Sequence, residues 1–149
     1  VNPSLTLAML AAAGVALVIQ NLLMVRITEA ASTVVVTLIL NSSAGLLLLM
    51  CLLVLRNGAA GLGEVVGAFR PWTILPGLLG SFFVFAGIIG YQRVGAAATI
   101  AVLVASQLIT GLVVDVLKAD ATHARPSLLA FAGAALLLMG ACLVARERL

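Results

Sequence analysis

ASTVVVTLILNSSAGLLLLMCLLVL, residues 31–55, carries no charged side chain from one end to the other. A helix rises 1.5 Å per residue, so about 20 residues cross a hydrocarbon layer of ~30 Å. This stretch is long enough to span a bilayer as one helix. A membrane β-strand would need about 10 residues in strict alternation, and the run is too long and too uniformly apolar for that. Inside it, Thr33, Thr37, Asn41 and Gly45 recur four residues apart, with Ser42 and Ser43 alongside. That spacing puts them on one slowly drifting stripe of a helix. Asn41 to Ser43 fall near the middle of the run, at mid-membrane depth.

The same pattern extends over the whole chain. Of its 149 residues 64% are hydrophobic and 9% charged, against about 25% charged in a soluble domain. Charges stand singly between long apolar runs, the mark of a polytopic, all-α membrane protein. Five transmembrane helices are expected, over residues 4–25, 31–55, 72–91, 96–117 and 127–145, in one domain covering residues 1–149. Asn2-Pro3-Ser4 opens the first, and Arg26 is taken as its end. The second stops at Arg56-Asn57-Gly58. Pro71 opens the third, whose Trp72 and Tyr91 suit the two membrane interfaces. The fourth follows Arg93 and Gly95, and the fifth lies between Pro126 and Arg146. No cleavable leader is expected, because the first run passes directly to Arg26 and a second run. The glycine-rich connection RNGAAGLGEVVGAFR, residues 56–70, reads as a flexible solvent loop, with a short interfacial helix over 62–69 as the alternative.

Other function classes find no support. Cys51 and Cys142 sit inside apolar runs without His/Cys neighbours, as packing residues and not as metal ligands or a disulfide. The net charge of +3 is scattered over several connections, so no basic face for nucleic acid forms. His123, the single histidine, lies in the connection KADATHARPS and is given no role. No Ser/His/Asp set, metal-ligand cluster or nucleotide loop is present, so neither an enzyme nor a cofactor is expected.

An odd number of spans places the termini on opposite sides. The connections on the amino-terminal side hold Arg56, Arg70, Lys118 and Arg125; the other side holds Arg26, Arg93, Arg146 and Arg148. The Lys/Arg excess that normally orients a membrane protein is missing. Either the chain inserts both ways and forms an antiparallel, dual-topology pair, or a partner protein sets its orientation. The first is preferred, since many transporters are built from inverted repeats about an in-plane two-fold axis.

The fourth span places Gln107 near its middle, with Thr110 and Gly111 three and four residues on and Asp115 eight residues on. The first span carries Gln20-Asn21, off-centre toward its far end. In an antiparallel pair Gln20 of one protomer and Asp115 of the other fall at similar depth. Each amide or hydroxyl taken alone is adequately explained as glue between helices, worth roughly 0.6 kcal/mol. Three amides with hydroxyls at overlapping depth suggest a central polar cavity. The third span, with Gly77, Gly80, Ser81 and Gly87, is smooth enough for close packing. Its Phe82, Phe83 and Phe85 read mostly as lipid- or core-facing bulk, with contact to an apolar or cationic substrate as the alternative for an aromatic at mid-depth. The fifth, with Gly133, Ala134, Ala135, Gly140 and Ala141, reads as a scaffold or dimer-packing helix. No carboxylate sits at the centre of a span, which leaves proton coupling open.

The run RPWTILPGLLGSFFVFAGIIGYQRVGAAATIAVLVASQLITGLVVD resembles the YdcZ-like inner-membrane exporter family of the drug/metabolite transporter superfamily. So do GVALVIQNLLMV, TLILNSSAGLLLL and the closing FAGAALLLMGACLVAR. The resemblance spans all five helices through short, degenerate motifs. It implies the bacterial inner membrane and a five-helix half-transporter that works as an antiparallel pair. The plan is also similar to that of the four-helix small multidrug resistance proteins. Those carry a central glutamate in the first helix, where this chain has Gly14-Val15-Ala16.

The expected function is therefore secondary transport, as an exporter of a small metabolite or drug-like molecule by alternating access. The cavity of an antiparallel homodimer, or of a heterodimer with a paralogue, would be lined by Gln20, Asn21, Asn41, Ser42 and Gln107. Asp115 would act as a gate or ion-coupling site. The rivals are a non-transporting assembly or scaffold protein, in which the polar residues bond one another and leave no cavity, and a lipid-handling protein.

Overall fold

The structure, a computed structural model, describes residues 2–122 and 128–146, with side chains described over 2–118 and 128–146. The chain is helical: α1 (Pro3–Ala30), α2 (Val34–Ala68), a 3-10 turn (Pro71–Thr73), α3 (Ile74–Arg93), α4 (Ala96–Thr122) and α5 (Leu128–Arg146). Among the described residues five segments are long and apolar enough to cross a membrane, as the apolar runs require. Protein covers little of them. In the most apolar window of α2 no residue is buried, and in the other four spans 6–11% are. The apolar side chains that no protein covers are matched to lipid, whose tails replace the core a soluble fold would need.

α1 starts where Asn2-Pro3-Ser4 predicts. The Asn2 side-chain oxygen accepts from the Ser4 amide at 3.2 Å and the Ser4 hydroxyl at 2.8 Å, and Pro3 fills the first turn, where no amide hydrogen is needed. Its end differs from expectation. Arg26 lies inside the helix, which continues to Ala30. A charge ends an apolar run but not a backbone hydrogen-bond ladder, and the ladder closes only where the Ala31 amide turns back to the Thr28 carbonyl at 3.3 Å.

The connection at 56–70 also departs from the flexible loop expected. It is helical to Ala68, interrupted once at Gly58 (φ 62°, ψ −159°). That backbone region is essentially open to glycine alone. Gly61 is buried, and a Cβ placed on it would stand 3.0 Å from the Leu53 side chain. Residues eight apart on a straight helix are separated by about 12 Å along the axis, so the chain bends sharply at Gly58 and lays its next turns back over the end of the span. Glycine content suggested flexibility; two of these glycines instead define a bend.

The described chain divides into two compact units, Val1–Ile89 and Gly90–Leu149. In the first, α1 and α2 form a hairpin closed by two threonines. Thr28 donates its one hydroxyl hydrogen to the Met24 carbonyl at 2.8 Å, so across the corner it accepts from Thr37, also at 2.8 Å. Thr37 is fully buried.

In the second unit, the end of α3 turns into α4 through Val94 and Gly95, whose amides both return to the Gly90 carbonyl at 2.9 and 3.2 Å. Gly95 takes φ +87°, and its carbonyl accepts the Thr99 hydroxyl at 2.8 Å. Alanine at Gly95 is expected to destabilise the protein by about 1–2 kcal/mol, the cost of a Cβ at positive φ. Thermal unfolding in detergent checks this, and an unchanged midpoint contradicts it. α4 and α5 then pack through small residues, with Ala105, Ala134 and Ala141 buried.

Candidate functional site

The stripe read from residues 31–55 faces α1 along part of its length. One turn beyond Thr37, Asn41 meets Gln20: the Gln20 Nε2 donates to Asn41 Oδ1 at 3.0 Å. Both residues line a recess of about 610 Å³, whose other walls are Ala16, Ile19, Leu23, Met24, Ile27, Leu40 and Ala44. No ionisable side chain contributes to it. One donor and one acceptor are spent in the mutual bond. The Gln20 Oε1 and the Asn41 NH₂ make no hydrogen bond to the described residues. The pair thus offers a donor and an acceptor on an otherwise hydrocarbon surface. Among the described residues its lining carries two amides and no charge.

The remaining candidates fall elsewhere. Asn21 is 5% exposed. Its Nδ2 donates to the Leu17 carbonyl at 3.0 Å, and its Oδ1 lies 3.3 Å from where a Cβ on Gly87 would stand. Asn21 therefore packs α1 against α3, and the absence of a side chain at Gly87 makes room for its carbonyl. Ser42 is exposed and does not line the recess.

Gln107 and Asp115 belong to the second unit. Beside Gln107, the Ser106 and Thr110 hydroxyls bond back to the Leu103 and Ser106 carbonyls at 2.9 and 2.8 Å. Gln107 is exposed and its amide makes no hydrogen bond to the described residues. Asp115 is exposed too, and nothing stands within 4 Å of where a Cβ on Gly111 would be. None of these residues lines the two apolar grooves between α4 and α5. Ser106, Gln107, Thr110 and Asp115 are thus exposed polar residues of α4. Cys51 and Cys142 are free and exposed, and His123 lies outside the described residues.

Two contacts escaped the sequence reading. Thr28 stands three residues before the Ala31–Thr33 corner and Thr37 four after it, and Gly90 and Thr99 stand four residues on either side of the Val94–Gly95 turn. In an antiparallel helix pair, mirror positions about a short turn meet. That symmetry is a signal the i, i+4 stripe alone does not use.

Residues 5–143 match the family described as "Putative inner membrane exporter, YdcZ". The chain is 56% identical over 146 residues to Inner membrane protein YdcZ of Escherichia coli (strain K12), covering 98% of each. No solved structure matches it. The chain belongs to the YdcZ family of inner-membrane proteins and is a multi-pass protein of the bacterial inner membrane.

Proposed function

We propose that this YdcZ family member is a half-transporter, two copies of which export a small metabolite or drug-like molecule by alternating access. The observation that carries the reading is the Gln20–Asn41 pair. It sets two amides with unspent bonding capacity in a recess of about 610 Å³ inside an apolar span. Gln107, likewise unspent, and Ser42 would add contacts along the path, and Asn21 would hold α1 beside α3. Asp115 would serve as gate or ion-coupling site toward the end of α4. An antiparallel homodimer, or a pair with a paralogue, follows from the balanced loop charges and would generate the inverted repeat that alternating access uses. Rocking of that assembly would expose the recess to each side in turn.

One observation favours a second reading. The 3.0 Å Gln20–Asn41 bond is what a non-transporting scaffold would use as glue. Against it stands Gln107, which a scaffold would also be expected to satisfy.

Reconstituted vesicles loaded with a metabolite panel test the transport reading: protein-dependent efflux of one compound class is expected, and its absence across the panel with folded protein favours the scaffold. Dual insertion has its own test. Single cysteines engineered at loop positions in a background lacking Cys51 and Cys142 are expected to react with an impermeant reagent from both sides of the membrane. Labelling of every site from one side only excludes the antiparallel pair.

A further inference from the structure

The geometry points to residues 59–68 as an amphipathic helix that lies in the plane of the membrane surface and docks on the boundary between headgroups and acyl chains. This rests on the chain spanning a bilayer and not on the transport reading. Successive helical residues are 100° apart. Leu62, Val65, Val66 and Phe69 therefore share an arc of about 100°, and Gly63, Glu64 and Gly67 share the opposite one. The apolar arc is largely bare: Val66 is 78% exposed, Phe69 63% and Val65 53%, and only Leu62, at 37%, is partly covered.

Chain length decides what does. The helix is about 15 Å long. Only Phe69 and Arg70 separate it from Pro71, where the next membrane-crossing segment begins. Two residues reach at most ~7 Å. If residues 59–68 stood upright in water, the start of that segment would be drawn out of the bilayer. The bend at Gly58 (φ +62°) and the close seat of Gly61 on Leu53 supply the sideways turn that avoids this. Arg56 and Arg70 bracket the helix at headgroup level, and exposed Trp72 follows at the interface it prefers. The occupant of the apolar arc is thus the lipid surface, and this helix ties the ends of α2 and α3 to it.

The test uses the full-length protein in lipid nanodiscs, open to reagents on both faces. Spin labels are placed singly at Val66 and at Glu64, both exposed positions where a label is tolerated. Collision rates are then measured with oxygen, which concentrates among acyl chains, and with a water-soluble nickel complex. Oxygen is expected to win at Val66 and nickel at Glu64, with at least a threefold difference in their ratio between the two sites. Equal ratios overturn the proposal, whether both labels sit in water or both sit in lipid. Should either label disturb the fold, Leu62 and Gly63 provide a second pair on the same two arcs.

Discussion

Gly90→Ala is expected to destabilise the protein by about 2 kcal/mol, within the usual range for forcing a methyl group into a packed contact. A Cβ at this position would stand 2.6 Å from Thr99 Cγ2, 2.7 Å from Thr99 Oγ1 and 3.3 Å from Thr99 Cβ. Threonine has little freedom to withdraw. It is branched at Cβ, so most rotamers keep a heavy atom in the contact, and its hydroxyl is held by the Gly95 carbonyl at 2.8 Å. Thr99 is also only 7% exposed. The backbone is pinned as well, because the Gly90 carbonyl accepts two amides of the turn. Thr99→Ala removes the two atoms that clash and leaves only the 3.3 Å contact. The Gly90→Ala/Thr99→Ala double variant should therefore be more stable than the sum of the single changes predicts, by at least 1 kcal/mol. Unfolding midpoints of the four proteins in detergent give this coupling directly. Additive effects would mean that α3 and α4 do not approach at this point.

Asn41→Leu and Gln20→Leu should each reduce efflux at least tenfold, and their combined effects separate a binding site from glue. Either single change leaves the remaining amide without its partner in an apolar recess, so both also cost stability. The double change Gln20→Leu/Asn41→Leu replaces both partners by apolar groups, which is close to neutral when shapes are kept. Stability is then expected to return to near the parent value. Efflux is not, because the proposed site would lose both its donor and its acceptor. If efflux recovers together with stability, the pair acts only between helices, and the site assignment fails. A folded double variant with no efflux supports the recess as the place where substrate dipoles are met.

Gln20 and Asn41 could be picked out in the sequence, and the contact between them could not. Gln20 and Asn41 were both legible as candidates, since an amide inside an apolar run is costly unless it is used. Their pairing was not legible. It depends on how α1 and α2 rotate about the Ala31–Thr33 corner, and composition carries no information on that rotation. Asn21 illustrates the same limit: adjacent to Gln20 in sequence, it points about 100° away and meets Gly87. Gln107 was singled out for its depth, and the structure leaves it exposed on α4 with its amide unspent. The connection at 56–70 was misread because glycine was counted as flexibility. The apolar residues at 62, 65, 66 and 69 held the helical period all along.

What the sequence by itself determined is the membrane, the helical class and the number of spans. These follow from run length and the lack of charge, because a backbone in hydrocarbon must satisfy its own hydrogen bonds and a single helix does so without any neighbour. Only the tertiary structure decided which polar groups meet: Gln20 with Asn41, Thr28 with Thr37, Asn21 with Gly87. Those encounters depend on helix rotation and crossing, set by close contacts at glycines and corners. Lipid, which accepts any apolar face equally, imposes no choice among them.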